Sequence, residues 1–386
     1  MKTMLSLFAA ACIGAANAAT PDVINPIHMP RKGEGWDVRG GVTQDRDGNL
    51  YGLVENSNKG VFIDKYNRGC GMVFRINAMG NRTTLYDFSS HQHSRGCRVY
   101  GVLLVREDGL YGVTSAGGYD NQGTIYRLSP DGGHRLLHRF SGTDGSFPGD
   151  GLTLGADGNL YGITIYGGAY DAGTVFRITP FGRFESIHSF DPQGEIGYRP
   201  AWRLTAGPDG ALYGIANGGG RDTIYRVGLD GTVSLVRRLQ PADGCLPQAL
   251  TLGSDGWLYG AALICGRYGQ GTLYRLLPSG AFERLHAFSG PDVGMPKDQL
   301  TEGPDGTWYG ITIGDAGSPP KTIYKIRFDG SAPVPLHVFD GSRRGGYPSG
   351  PLLLRSDGWL YGTSSNGGNT KGPEGIGTGM VFRLAP

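Results

Sequence analysis

The segment of the chain that most suggests chemistry is "HQH" at residues 91–93, which Arg95 and Arg98 follow closely. Histidine titrates near neutral pH, so it serves as a general base and as a metal ligand. A metal site needs three or four converging ligands, and two histidines are too few. We therefore expect no metal and favour a solvated loop. The alternative is a catalytic or ligand-binding role for His91 and His93, which are our first catalytic candidates.

Tyrosines and arginines recur in the glycine-rich segments of the chain. Flat rings with a polar tip suit the C–H faces and hydroxyls of sugars, and arginine suits a uronate carboxylate. The candidates for ligand contact are Tyr66, Arg95, Tyr119, Tyr166, Tyr170, Trp202, Arg221, Tyr268, Arg343 and Tyr347. The adjacent Tyr198 and Arg199 are further catalytic candidates. The competing interpretation is that the tyrosines pack between β-sheets.

Several familiar ligand motifs are missing. "DRDGN" at 45–49 is similar to the start of a calcium loop, but the glutamate expected at loop position 12 is absent. "GGG" at 218–220 precedes neither a helix nor a Lys-Ser/Thr pair, so it is no phosphate loop. The formal net charge is only +2. We expect no cofactor and no nucleic-acid partner.

An internal repeat determines the expected fold. The motif DG-x-(L/W)-YG occurs six times and "DGLYG" once, mostly about 50 residues apart, with the aspartates Asp47, Asp108, Asp157, Asp209, Asp255, Asp305 and Asp357. One unit reads "GLTLGAD", "NLYGITI", "GTVFRIT" and "RFESIHSF", four segments with strand-like alternation joined by glycine turns. Seven such units predict an all-β, seven-bladed β-propeller with four strands per blade.

The last unit, "GMVFRLAP", lacks a fourth strand. Near the N-terminus, "VINPIHMP" at 23–30 is similar to "FESIHSF", with His28 in the position of His188. We predict that this segment joins the last blade and closes the ring, because an unpaired edge strand exposes backbone groups. A sealed ring also predicts a monomer. The shared repeat position of His28, His138, His188, His286 and His337 indicates a structural role.

These units resemble the Gloeo_Verruco (GloVer) tandem repeat of secreted bacterial proteins, best over "LLHRFSGTDGSFPGDGLTLGADGNLYGITIYGGAYDAGTVFRITPFG". The resemblance covers nearly the whole mature chain. It implies a propeller-like fold and an extracellular location. It implies no catalytic residues, because the family has no common catalytic signature.

The first residues, "MKTMLSLFAAACIGAANAAT", combine Lys2, an apolar stretch and the small residues Ala16-Asn17-Ala18. This pattern predicts a signal peptide over 1–18, cleaved near Ala18, and a single propeller domain over 19–386. The mature protein is then secreted or periplasmic. No later stretch reaches the ~20 apolar residues of a membrane span.

Four cysteines follow the signal peptide. Cys70 falls in the second-to-third loop of blade 1 and Cys97 just before blade 2. Cys245 falls just before blade 5 and Cys265 in that blade's own loop, so the four form two local couples on one face. We predict disulfides Cys70–Cys97 and Cys245–Cys265, which suit an oxidising compartment. The alternative, a shared zinc site, would require the two couples to meet across the ring.

Consecutive strands run antiparallel, so the second-to-third loops and the links between blades emerge together on one side, here called the long-loop face. The tight glycine turns emerge on the other side, the turn face. We expect the site on the long-loop face. The predicted function is binding of a glycan, envelope component or protein. The alternatives are a polysaccharide-active enzyme, above all a uronate-polysaccharide lyase, and a purely structural envelope protein.

Overall fold

The computed structural model describes residues 24–30, 36–56, 69–91, 94–289, 294–314, 321–339, 346–365 and 378–386. Within these ranges thirty strands form seven antiparallel sheets, and two 3-10 helices span Phe88–His91 and Gly218–Gly220. The predicted all-β propeller with seven blades is confirmed.

Each blade is described from its inner strand, beside the central channel, to its outer strand. The strands of blades 1 to 4 are β2 (Trp36–Gln44), β3 (Leu50–Asn56), β4 (Met72–Ile76) and β5 (Arg82–Asp87); β6 (Cys97–Arg106), β7 (Gly109–Ala116), β8 (Thr124–Leu128) and β9 (His134–Arg139); β10 (Ser146–Pro148) with β11 (Thr153–Leu154), β12 (Leu160–Tyr166), β13 (Thr174–Ile178) and β14 (Phe184–Ser189); and β15 (Pro200–Ala206), β16 (Leu212–Ala216), β17 (Thr223–Val227) and β18 (Val233–Arg238).

Blades 5 to 7 repeat this order. Their strands are β19 (Cys245–Pro247) with β20 (Thr251–Leu252), β21 (Leu258–Ile264), β22 (Thr272–Leu276) and β23 (Phe282–Ala287); β24 (Pro296–Glu302), β25 (Trp308–Thr312), β26 (Lys321–Ile326) and β27 (Val334–Phe339); and β28 (Pro348–Leu354), β29 (Leu360–Ser364), β30 (Met380–Leu384) and the N-terminal β1 (Ile24–His28).

The ring closes through the N-terminal strand. β1 pairs antiparallel with β30, with Ile24 opposite Leu384 and His28 opposite Val381. Ile24 is buried in a cluster that includes Phe382. The predicted closure is confirmed, and the C-terminal strand has no open edge.

The repeated LYG segment has a packing reason. An aromatic ring from the third strand of each blade lies directly on its glycine: a Cβ at Gly162 would stand 2.4 Å from the ring of Phe176. The seven rings, all essentially buried, are Phe74, Tyr126, Phe176, Tyr225, Tyr274, Tyr324 and Phe382. Only glycine leaves room for this contact, so the motif marks core packing.

The repeated aspartate caps the first turn and orients the LYG tyrosine. Asp157 accepts the backbone N–H of Asn159 at 3.1 Å and the Tyr161 hydroxyl at 2.8 Å. The same bond joins Tyr111 to Asp108, Tyr213 to Asp209, Tyr259 to Asp255 and Tyr361 to Asp357. In blade 1, Tyr51 donates instead to Asp45, two residues before the repeated Asp47. "DRDGN" is thus a capped turn, as its lack of the position-12 glutamate suggested.

Neighbouring blades are joined by threonine hydroxyls of the inner strands. Thr205 donates to the Leu250 carbonyl at 2.7 Å, and Thr251 donates to the Leu300 carbonyl at 2.7 Å. Apolar clusters then fill the spaces between sheets. The core is therefore a ring of interfaces around a polar centre.

Both predicted disulfides are confirmed. Cys70–Cys97 links the second-to-third loop of blade 1 to β6, and both residues are fully buried. Cys245–Cys265 links the inner strand of blade 5 to that blade's own loop. In the described part of the chain, no helix is both long and apolar enough to cross a bilayer.

Candidate functional site

The inner strands break their regular conformation where they face the channel. A residue of left-handed φ interrupts five of them, namely Gly40, Gly101, Trp202, Asp298 and Gly350, with φ between 61° and 83°. The pairing register shifts at the same place in each of these blades. Such bulges re-aim side chains, and here they bring polar groups together around the axis.

Hydrogen bonds between the inner strands of different blades show how close their polar side chains lie. Arg203 of blade 4 donates to the Gln299 side chain of blade 6 at 2.5 Å. These blades are not neighbours, so the bond spans the channel itself. Asp298 also accepts the backbone N–H of Gly350 at 3.2 Å, and its own N–H donates to Gln248 at 3.4 Å.

Two carboxyl groups share this space. Withdrawal from water raises the pKa of Asp150 to about 6, and the negative charge of Asp298 adds to the shift. The hydrogen bond from Tyr100 and the charges of Arg203 and Lys297 act in the opposite direction. Burial likewise raises the pKa of Asp298. Asp150 therefore changes its protonation state near pH 6 rather than near pH 4.

Tyr100 and Arg203 complete the cluster beside these carboxyls. The charge of Asp150, together with burial, raises the pKa of the Tyr100 phenol, which stays protonated and donates to that carboxylate. Burial lowers the pKa of Arg203, and Asp150 partly offsets this effect. We call Tyr100, Asp150, Arg203 and Asp298 the channel cluster.

A second charged group lies on the wall formed by blade 1. Arg39 contacts Asp37 at 2.8 Å and Glu55 at 3.0 Å. Burial opposes the protonated form of Arg39, but these two carboxylates outweigh it and raise its pKa. Among the described residues, no three His, Cys, Asp or Glu side chains are arranged to hold a metal ion.

The long-loop face presents tyrosines on stiff loops. In blades 2 and 3 the loop is closed by a side chain: Asn121 accepts the N–H of Gly117 at 2.8 Å, and Asp171 accepts that of Gly167 at 2.8 Å. The ring between these anchors is left outside, since Tyr119 is 79% exposed and Tyr170 is 57% exposed. The loops therefore hold exposed aromatic rings in place.

Cations accompany these rings. The guanidinium of Arg139 lies 4.4 Å from the Tyr119 ring centre, and that of Arg199 lies 5.4 Å from Tyr166 and 5.7 Å from Tyr198. The other pairs are Arg267 with Tyr268 and Lys321 with Tyr347. In the part of the chain that the structure describes, none of these four cations forms an ion pair with a carboxylate. Arg199 and Arg267 are exposed, whereas Arg139 and Lys321 are half-buried, and each of the four lies beside an aromatic ring.

The other candidates fall into three groups. Tyr66, His93 and Arg343 lie outside the described residues, as does the side chain of His91. Arg95 and Arg221 are exposed on the long-loop face, and Arg95 hydrogen-bonds Tyr86. Trp202 belongs to the inner strand, where its indole N–H donates to the Pro247 carbonyl at 3.2 Å and its ring packs between blades 4 and 5.

Sequence reasoning missed the channel cluster. Its members belong to the inner-strand segments "VYG", "PGD", "PAWR" and "PKDQ". The corresponding segment of blade 7, "PSGP", carries no charged residue. This departure from the repeat is the signal that was available. Recognising it requires knowing that these positions face one another across the axis.

Comparisons with known proteins agree with this architecture. The model of the Gloeobacter/Verrucomicrobia repeat matches residues 37–262 and 220–386. No curated protein matches the sequence.

Solved structures are similar in fold only. They include a candidate 6-phosphogluconolactonase from Bacteroides uniformis (15% identity, TM-score 0.51, 84% of this chain and 89% of that chain) and a puromycin hydrolase S511A mutant (13% identity, TM-score 0.54, 87% and 51%). Another candidate 6-phosphogluconolactonase, from Bacteroides fragilis, has 17% identity and a TM-score of 0.49 over 86% of this chain and 89% of that chain.

Proposed function

Since the chain belongs to the Gloeobacter/Verrucomicrobia repeat family, we propose that it is a secreted or periplasmic propeller that binds an acidic glycan through its long-loop face. One observation carries the proposal: on this face, exposed tyrosine rings stand beside cations that have no carboxylate partner in the described structure. In this proposal residues 1–18 are removed as a signal peptide, and the propeller over 19–386 acts as a monomer.

The pairing of ring and cation favours acidic sugars over neutral ones. A sugar ring stacks its C–H face on tyrosine, and the carboxylate of a uronate then accepts hydrogen bonds from a neighbouring guanidinium. The pairs are spread over blades 2, 3, 5 and 6–7, so a polymer can contact several at once. Multivalent contact of this kind gives useful affinity from individually weak sites.

Retention on immobilised polysaccharide tests the proposal. We expect the protein to be retarded in gels containing polygalacturonate or alginate, but not in gels containing neutral dextran. Tyr119→Ala and Tyr170→Ala should each weaken retention about fivefold, because each loses one stacking contact of roughly 1 kcal/mol. Phe181→Ala is the matched control, since Phe181 is 84% exposed but lies on the turn face. The proposal is wrong if dextran retards the protein as strongly as the acidic polysaccharides do, or if the tyrosine substitutions leave retention unchanged.

The channel cluster favours a second candidate, a uronate-polysaccharide lyase. Ionised Asp150 would remove the proton α to the carboxylate, and Arg203 would neutralise that acid. The C–O bond to the glycosidic oxygen would break as a C=C double bond forms, and the departing oxygen would take a proton from water. Formation of that double bond is measured as absorbance near 232 nm. We expect such turnover to fall below about pH 6 and to vanish in Asp150→Asn. Turnover that survives Asp150→Asn would exclude this mechanism.

A further inference from the structure

The turn face carries a large groove between blades 6 and 7. Its volume is about 830 Å³, a size that suits a small organic molecule. Apolar side chains line it, among them Val334 and Leu354, and the polar groups of Tyr309, Lys325 and Arg355 share the same surface. The groove lies on the opposite side of the ring from the long-loop face, so it is independent of the proposed glycan site.

The groove lies where blade 6 departs from the repeated hydrogen-bond pattern. In six blades an aspartate accepts the LYG tyrosine hydroxyl, and in several of them a third-strand arginine also reaches that aspartate: Arg226 contacts Asp209 at 2.8 Å. In blade 6 the aspartate, Asp305, is held instead by Thr307 and Arg327. Its tyrosine, Tyr309, keeps only a charge interaction with Asp305.

The third-strand position also changes. Blade 6 has Lys325 where the other six blades have arginine. Among the described residues, the Lys325 ammonium has no hydrogen-bond or ion-pair partner. The Tyr309 hydroxyl and the Lys325 ammonium therefore remain available at the wall of an apolar groove. In the other six blades the corresponding tyrosine hydroxyl donates to an aspartate.

The charges of the lining select the class of ligand. Arg327 pairs with Asp305 and Arg355 pairs with Asp357, so Lys325 is the lining cation that has no carboxylate partner among the described residues. Val334 is 50% exposed, so apolar surface lies beside the free cation. An apolar body with an anionic head matches this arrangement, because the body covers the apolar wall and the head meets Lys325.

We propose that the groove between blades 6 and 7 is a binding site for a small amphipathic carboxylate. The carboxylate contacts Lys325 and Tyr309, and the aromatic or aliphatic body packs on Val334 and Leu354. The site is specific to blade 6. Among the described residues, this is the blade in which both the LYG tyrosine hydroxyl and the third-strand cation lack the partners that their counterparts have.

Calorimetric titration with 2-naphthoate tests this proposal on the full chain, with the neutral 2-naphthamide as the comparison ligand. We expect saturable one-to-one binding of the acid and at least tenfold weaker binding of the amide. Lys325→Met, which keeps most of the side-chain stem, should weaken 2-naphthoate at least tenfold. Val334→Glu should do the same, because it sets a negative charge in the groove at a half-exposed position where folding tolerates it.

Arg177→Met is the matched control, since Arg177 holds the position of Lys325 in blade 3. It should leave the affinity within twofold of the parent. The proposal is wrong if no saturable binding occurs, if the amide binds as tightly as the acid, or if Lys325→Met and Val334→Glu both leave the affinity unchanged. Thermal unfolding of each variant shows that its fold is retained.

Discussion

At the scale of single residues, the feature that sets this propeller apart is the pair of acids in its channel. Asp150 and Asp298 repel each other in a poorly hydrated space, and Tyr100, Lys297, Arg203 and the backbone N–H of Gly350 moderate that repulsion. Such an arrangement destabilises the folded protein when both acids are ionised. A cluster of this kind is more typical of a binding or catalytic site than of a purely structural core.

The raised pKa of Asp150 predicts a specific dependence of stability on pH. Folding favours its protonated form, so its contribution is fully present below about pH 4, the pKa of an unfolded aspartate. That contribution is lost as the pH rises through about 6. From pH 4 to 7.5 the parent should lose about 2 kcal/mol relative to Asp150→Asn, which cannot ionise. Urea unfolding of both proteins across this range measures the difference.

A difference between the two proteins that stays constant with pH would contradict the raised pKa. Asparagine still accepts the hydrogen bond from Tyr100, so the substitution tests the charge rather than the contact. The exposed turn residue Asp131→Asn is a suitable control, because Asp131 lies far from the channel at a glycine turn.

At the scale of the repeated element, most of the shared residues serve packing and turns. The LYG glycine admits an aromatic ring, and the aspartate of the first turn holds the tyrosine hydroxyl. The repeated histidines also pack: His138 stacks on Phe184 at 3.6 Å and contacts Asp144 at 2.8 Å. Blade 6 is informative because it keeps the sequence motif but loses one of its contacts.

A pair of equivalent substitutions tests this difference between blades. Tyr161→Phe removes a hydroxyl that donates to Asp157, and it should lower the free energy of unfolding by about 1 kcal/mol. Tyr309→Phe removes the corresponding hydroxyl in blade 6, where that bond is absent, and it should have little effect. Denaturant unfolding of the two variants is the measurement. Equal losses would show that Tyr309 has a structural partner after all.

At the scale of the whole molecule, stability depends on closing the ring. Blade 7 is assembled from both ends of the chain, through β1 and β30. Two hydrogen bonds then join blade 7 to blade 1: the Gly41 N–H donates to the Thr363 hydroxyl, and the Ser349 hydroxyl donates to the Val38 carbonyl. An open propeller would expose a strand edge, which favours association between molecules.

Two adjacent substitutions in β1 test the closure. Ile24→Asp places a charge in the buried cluster of blade 7 and should lower the free energy of unfolding by about 3 kcal/mol or more. We also expect it to promote aggregation, which light scattering detects on warming. Asn25→Asp changes the exposed neighbour on the same strand and should behave like the parent. Similar unfolding temperatures for both variants would show that β1 does not hold the ring closed.

Strands, turns, disulfides and ring closure were all predictable from the chain alone, because each depends on features that are local or repeated. Alternation and glycine turns specify a strand pair over about ten residues. The last unit lacks the turn and strand that complete the other units, so the missing fourth strand had to come from the N-terminal end of the chain. Cys70 and Cys97 paired as predicted because both lie at one blade junction.

The tertiary structure alone decided which polar residues meet. Asp150 and Asp298 are 148 positions apart, and Arg203 reaches Gln299 across the axis. The seven inner strands converge there, and bulges set the direction of each side chain, so no periodicity in the sequence encodes those contacts. Asp305 of blade 6 likewise bonds Thr307 and Arg327 although its blade keeps the repeated motif, so the motif alone does not determine the partner of the aspartate.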